Sequence, residues 1–265
     1  MNIRQNVDVA IKRKDYDSLG KDKLKISSYF RTIQGEGKYA GYPAIFLRLA
    51  GCNFGAKDVN CSWCDTAFHF SRGEVWDLDL LLEVLMNIPG YNGKDILVIT
   101  GGEPTLQHNL IEFIDRAYGK GTFSAIQMET NGTQSSYFNA VVARGTQYQC
   151  STTVSPKASY KANKYAPLAD VVLDCADVLK FVLEDVPDSP HYTIPEWALM
   201  VTDIDVYVSP MAVYKRPYVG EVSSAWDAEL INQEATARNY NYAARYAMQH
   251  NLKISTQQHL FLTLA

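Results

Sequence analysis

The chain has 265 residues, 47% of them hydrophobic and 20% charged, with a net charge of −4 and a pI near 5.7. That balance suits a globular protein and leaves no basic footprint for nucleic acid, which usually shows as a pI above about 9. No apolar run approaches the roughly 20 residues that span a bilayer, and no signal-peptide pattern is present, so neither membrane insertion nor secretion is expected.

Residues 1–23 are polar and without periodicity, and read as a tail ahead of a single domain over 24–265. Leu24–Phe30 predicts a strand, followed by Ile33-Gln34-Gly35-Glu36-Gly37, whose glycines allow close approach to a ligand. Pro43–Ala50 predicts a buried strand interrupted by one cation, Arg48. A buried guanidinium needs a carboxylate, supplied either by Glu36 or by the acid group of a ligand. Asp77–Ile88 predicts a helix capped by Asp77. Asp95–Thr100 predicts a buried strand ending in Gly101-Gly102-Glu103-Pro104, and Asn109–Gly119 a helix.

Phe123–Met128 predicts a strand that runs into Glu129-Thr130-Asn131-Gly132, and Ser135–Arg144 a helix. Ser151–Val154 predicts a strand ending in Ser155-Pro156-Lys157, and Val178–Leu183 another. The segment 185–196 carries three prolines and reads as a loop or surface insertion. Ile204–Val208 predicts a strand ending in Ser209-Pro210-Met211; a long amphipathic helix filling much of 225–250 and a short strand Leu252–Thr256 follow. Alternating strands and helices imply an α/β fold with a mainly parallel sheet, in which ligands gather at the carboxyl ends of the strands. Each unusual tetrapeptide falls at that position.

The chemistry centres on Cys52, Cys61 and Cys64, in a C-x8-C-x2-C arrangement. The other two cysteines, Cys150 and Cys175, lie far downstream and read as buried thiols; an odd total of five suits a reducing, cytoplasmic compartment. A zinc site would need a fourth ligand, for which His69 is available, giving a non-catalytic interaction module. Three thiolates alone instead hold a [4Fe-4S] cluster with one iron open to a chelating ligand. That iron can take the amine and carboxylate of a methionine-type ligand. Gly101 and Gly102 would then expose backbone to its ammonium, Glu129 and Asn131 would meet ribose hydroxyls, and Ser155 with Lys157 would hold a carboxylate or ribose. Together these loops read as an S-adenosylmethionine site on a reducing cluster.

The stretch FRTIQGEGKYAGYPAIFLRLAGCNF…CSWCDT (30–66) resembles the 7-carboxy-7-deazaguanine synthases, a family of radical S-adenosylmethionine enzymes. ITGGEPTLQ (99–107), ETNGT (129–133), VSPK (154–157), YVSPM (207–211) and Gln258-His259 extend the resemblance along nearly the whole chain after residue 24. It implies a partial, open βα barrel. The implied reaction is radical ring contraction of 6-carboxy-5,6,7,8-tetrahydropterin to 7-carboxy-7-deazaguanine with loss of ammonia, in deazapurine (queuosine-type) biosynthesis. Hydrogen leaves C6 to a deoxyadenosyl radical and later returns, so S-adenosylmethionine is regenerated. A glycyl-radical activase is the alternative within the same superfamily.

The resemblance also implies roles. Cys52, Cys61 and Cys64 would hold the cluster, and Thr66 would contact a Mg2+ that binds the substrate carboxylate. Ile33, Gln34, Gly35 and Glu36 would recognise the pterin, Arg48 its carboxylate, and Thr100, His259 and the terminal Ala265 would contact substrate; Arg48, Glu36 and His259 are the candidate catalytic residues. Trp63, Asp65, Gly101, Gly102, Glu103, Glu129, Asn131, Ser155, Pro156, Lys157, Ser209, Pro210, Met211 and Ala212 would line the cofactor. A one-electron donor such as flavodoxin and a homodimeric state complete the expectations.

Overall fold

The computed structural model describes residues 19–54, 73–160, 162–215 and 230–262. Its first half runs β1 (Lys23–Ile33), β2 (Pro43–Leu49), β3 (Glu74–Asp77), α1 (Leu78–Met86), β4 (Ile96–Gly101), α2 (Asn109–Lys120), β5 (Ile126–Thr130) and α3 (Ser135–Arg144). The second half runs β6 (Ser151–Val154), β7 (Ala158–Ser159), β8 (Lys164–Tyr165), α4 (Asp170–Asp174), β9 (Val178–Leu183) and α5 (Glu196–Leu199). It closes with β10 (Asp205–Pro210), α6 (Gln233–His250), β11 (Lys253–Ile254) and α7 (His259–Leu262).

Nine of the described strands form one sheet in the order β11-β10-β9-β6-β5-β4-β2-β1-β3. From β2 to β11 every pairing is parallel; β1 is antiparallel to β2, and β3 to β1. Each parallel strand therefore ends at the same edge, and the loops after β2, β4, β5, β6 and β10 share one rim. This is the mainly parallel α/β architecture the sequence predicts.

Strand residues alternate between the two faces of the sheet. One set, with Ile45, Leu47, Leu49, Leu97, Ile99, Met128, Val154, Leu179, Phe181, Leu183 and Val208, packs against the helices in the main core. Each such fully buried side chain contributes roughly 1.5–3 kcal/mol. The opposite set is apolar near β2 and β4, where Ala44, Ile96 and Val98 meet Phe46 and Tyr39. It becomes polar further along, with Gln127, Thr153 and Lys180 all buried. Sheet curvature shows in the loop after β1: Gly37 N–H donates to Ser255 Oγ (2.9 Å) and Gln258 N–H to the Gly35 carbonyl (3.0 Å). Residues leaving one side of the sheet thus reach those following the opposite edge strand, and the loop lies across the polar face.

One local expectation needs correction, and two others are refined. Residues 19–23 belong to the fold: Lys23 starts β1, and Arg116 binds Asp22, Asp79 and Glu112. The expected long helix runs from Gln233 to His250, and Asn232 caps it by accepting from Ala235 N–H at 3.1 Å. Residues 216–229 lie outside the described residues. The proline-rich segment 185–196 is a loop up to Glu196, as expected, but one that packs inward rather than a surface insertion: His191 and Ile194 are buried and the His191 carbonyl accepts from Glu184 N–H.

Candidate active site

The rim is built first from backbone. Gly102 N–H donates to the Leu49 carbonyl (3.1 Å) and Glu103 N–H to the Gly51 carbonyl (2.7 Å), so the turn after β4 lies directly on the root of the cysteine loop. A Cβ on Gly101 would stand 2.2 Å from the Leu49 carbonyl oxygen, and one on Gly102 1.8 Å from that of Gly51. Only glycine fits at either place. Both glycines thus bring backbone against backbone of Leu49–Cys52, a contact not among the sequence expectations.

Glu103 ties this turn to the next. Its buried carboxylate accepts from Thr105 N–H (3.1 Å), the Thr105 hydroxyl, Thr130 Oγ1 (2.6 Å) and Asn131 N–H (2.7 Å). Burial pushes its pKa up, and those hydrogen bonds pull the other way. Asn131 continues the chain of contacts: its Nδ2 donates to Asn53 Oδ1 at 2.9 Å, and its Oδ1 accepts from Thr133 N–H and Oγ1. Asn53 Nδ2 donates to Thr133 Oγ1 at 2.7 Å. The residue next to Cys52 is therefore locked to the end of β5.

At the far side of the rim, Ser155 N–H donates to the Thr130 carbonyl (2.7 Å) and Lys157 Nζ to Ser155 Oγ (3.1 Å). Ser209, Met211 and Ala212 are buried at the end of β10. Met211 is held by Asn239 Nδ2, which donates to its carbonyl at 2.8 Å, while Asn239 Oδ1 accepts from Asp185 N–H at 2.8 Å. Asn239 thus fixes the ends of β9 and β10 from α6. Nothing in the sequence singled it out; the signal available was a polar residue on the buried stripe of the helix.

The polar face lies beneath the rim. Gln34, 1% exposed, donates from Nε2 to Gln127 Oε1 (2.8 Å) and Glu129 Oε1 (3.2 Å) and accepts from Glu36 N–H (3.1 Å). Gln127 passes the contact on to Thr153 Oγ1 at 3.1 Å. Arg48 and Thr100 are register partners on adjacent parallel strands and leave the sheet on this same face. Of the two partners open to Arg48, Glu36 is not the one. The loop carries Glu36 across the face to β9, where its carboxylate pairs with Lys180. Arg48 is half-buried, and its guanidinium lies over the Phe30 and Phe46 rings, 5.4 and 6.0 Å from their centroids. The cation–π contact satisfies the charge without a carboxylate. Lys180, a single cation inside VLKFVL, is the principal residue missed from sequence.

Cys61, Trp63, Cys64, Asp65, Thr66, His69 and Ala265 lie outside the described residues. His259 opens α7, one residue after the Gln258 that bonds Gly35. Cys52 is buried at the end of β2, and Cys52, Cys150 and Cys175 are thiols. Among the described residues no three histidines, cysteines or carboxylates group into a metal site. What is described of the donor set, a thiol rooted beside a glycine cradle, fits a thiolate-held cluster.

No family model matches the chain. A 7-carboxy-7-deazaguanine synthase of Rickettsia prowazekii is 31% identical over 248 residues, covering 91% of this chain and 88% of that protein. The chain belongs to the 7-carboxy-7-deazaguanine synthase family. A second such synthase, of Methanospirillum hungatei, is 38% identical over 111 residues, an alignment covering 42% of this chain and 43% of that protein. The crystal structure of QueE from Escherichia coli matches with a TM-score of 0.56 at 22% identity, covering 94% of this chain and 99% of that one, and shows the shared fold. As a member of the synthase family the protein is a radical S-adenosylmethionine enzyme. The zinc module and the activase both give way to that assignment. No helix among the described residues is long and apolar enough to cross a membrane.

Proposed function

We propose that this protein forms 7-carboxy-7-deazaguanine from 6-carboxy-5,6,7,8-tetrahydropterin, with loss of ammonia, for deazapurine (queuosine-type) biosynthesis. When bound, the [4Fe-4S] cluster and S-adenosylmethionine supply a reversible deoxyadenosyl radical, the hydrogen-abstracting agent. Cys52, Cys61 and Cys64 hold the cluster. Gly102, Ser155–Lys157 and Ser209–Ala212 border the cofactor, with Trp63, Asp65 and the carboxylate of Glu129. Glu103 and Asn131, whose side chains are engaged within the rim, fix its shape.

Gln34 and Glu36 present the loop backbone and one carboxylate to the pterin's donor edge, with Ile33, Gly35, Thr100, His259 and Ala265 around it. Arg48 takes the substrate carboxylate, exchanging part of its aromatic contact for a charge-assisted pair. Thr66 supplies one oxygen to Mg2+, an ion that keeps most of its waters and borrows oxygens from substrate. The protein works in the cytoplasm as a homodimer and receives its electron from a carrier such as flavodoxin.

The observation that carries this reading is the common rim of parallel strand ends, with Cys52 bonded through Asn53 to the end of β5 and seated on the glycine turn. Anaerobic reconstitution followed by assay with the carboxytetrahydropterin tests it. Four irons per chain and turnover are expected; one zinc per colourless chain and no product would overturn it. Cys61→Ala should abolish both cluster and turnover.

A further inference from the structure

Among the described residues, the polar face holds a deeply placed ammonium, that of Lys180. Lys180 side chain is 9% exposed, and it pairs with Glu36 from the loop after β1 and with Glu129 Oε2 from β5 at 3.8 Å. Those carboxylates are themselves 14% and 21% exposed, so the ammonium and both carboxylates share a largely desolvated space. Gln34 reaches the other oxygen of Glu129, and Gly37 and Gly35 bond Ser255 and Gln258. The loop is therefore pinned at both flanks by neutral hydrogen bonds and at its middle by the Glu36–Lys180 pair. Without the ammonium, Glu36 and Glu129 would face each other as like charges in a low-dielectric pocket, and the carboxylate of Glu36 would turn toward water.

We propose that Lys180 is a positioning residue for substrate recognition: it holds the Glu36 carboxylate on the pterin side of the face and couples it to Glu129 on the cofactor side. The inference rests on the reading of Gln34–Glu36 as the pterin-recognition loop. Lys180 acts through Glu36, so its removal lowers substrate affinity and leaves cluster loading and cofactor affinity in place. Arginine, which keeps a cation and adds donors, recovers part of the loss.

The test uses cluster-loaded enzyme and the variants Lys180→Met, Lys180→Arg, Glu36→Gln and Glu36→Gln/Lys180→Met. Readouts are the Kd of 6-carboxytetrahydropterin by calorimetry before reduction, the KM of each substrate after it, iron content and Tm. Lys180→Met is expected to raise the pterin Kd about tenfold or more, with the S-adenosylmethionine KM and iron content unchanged. Lys180→Arg should recover part of that affinity, and the double variant should be no weaker than the worse single one. Additive losses in the double variant, or a parallel loss of iron and cofactor affinity, would overturn the proposal. So would normal pterin affinity in Lys180→Met beside a weakened Glu36→Gln. If Glu36→Gln itself binds pterin normally, the failure lies in the reading of the loop.

Discussion

The rim around Cys52 and the face beneath it are held together by opposite means. At the rim, backbone meets backbone through Gly101 and Gly102, and neutral donors converge on the single carboxylate of Glu103. On the face, side chains from distant strands meet through charge: Lys180 with Glu36 and Glu129, and Arg48 over two phenylalanines. A rim fixed by shape tolerates no added atom but is indifferent to small electrostatic changes. A face fixed by charge tolerates changes of shape but not of charge. Substitutions at the rim should therefore damage cluster and fold together, while those on the face should separate affinity from stability.

The largest effect is expected at Gly102. Its alanine would place a methyl 1.8 Å from the Gly51 carbonyl oxygen, where rigid backbone rather than a flexible side chain must give way. Gly102→Ala should destabilise the protein by about 3 kcal/mol or more and prevent iron loading, read by thermal unfolding and iron analysis. A loaded, stable variant would break the claim that shape governs the rim.

Glu103→Ala comes next. It leaves the Thr130 hydroxyl and the Asn131 amide without their buried acceptor. The expected cost is on the order of 2–3 kcal/mol, with weaker loading that glutamine restores only in part, since it has one acceptor oxygen. Unfolding in urea and iron content check both variants.

Arg48→Ala sharpens the contrast from the other side. The residue is half-buried and rests on aromatic rings, so stability should fall by only about 0.5–1 kcal/mol. Iron content should hold, while the pterin KM rises by about tenfold or more. Equal losses of iron and of pterin affinity would erase the distinction between the two regions.

The same distinction governs how far the sequence could be read. Rim contacts demand particular residues in short runs: glycines where backbones touch, asparagine and threonine where donors turn inward. GGEP, ETNG and the strand alternation therefore announce the rim and the parallel sheet. The face depends on which strands become neighbours. Lys180 meets Glu36 across 144 positions of sequence, and no local pattern records that pairing. The interruption of VLKFVL by a lysine was visible, as was Arg48 inside its strand, but the partner was not. Glu36 lies near Arg48 in sequence and is one of two candidate partners for it, but the loop carries it to β9, which leaves the ligand acid as the other candidate. Asn239 escaped notice for the same reason, as did the inward packing of 185–196.

The smallest predicted effect concerns the segment that braces β9, the strand presenting Lys180. His191 is fully buried, with Nδ1 3.1 Å from the Val182 carbonyl and 3.3 Å from the Tyr165 hydroxyl, which itself donates to Val182 at 3.0 Å. Burial holds its pKa below the ordinary histidine value of 6.5, against smaller opposing influences from the Val182 bond and Glu184. The unfolded chain takes up a proton near that ordinary value while the folded one does not. The histidine's contribution is therefore complete above the unfolded pKa and declines as pH falls through it toward the lowered folded value. The decline cannot exceed about 1.4 kcal/mol per pH unit for one proton. His191→Gln keeps an amide donor for Val182 and removes the titration, so its stability should vary less between neutral and mildly acid pH than that of the natural protein. Urea unfolding of both across that window decides the matter: parallel curves would mean that His191 is not the group whose burial resists protonation, and that the brace on β9 is insensitive to acid.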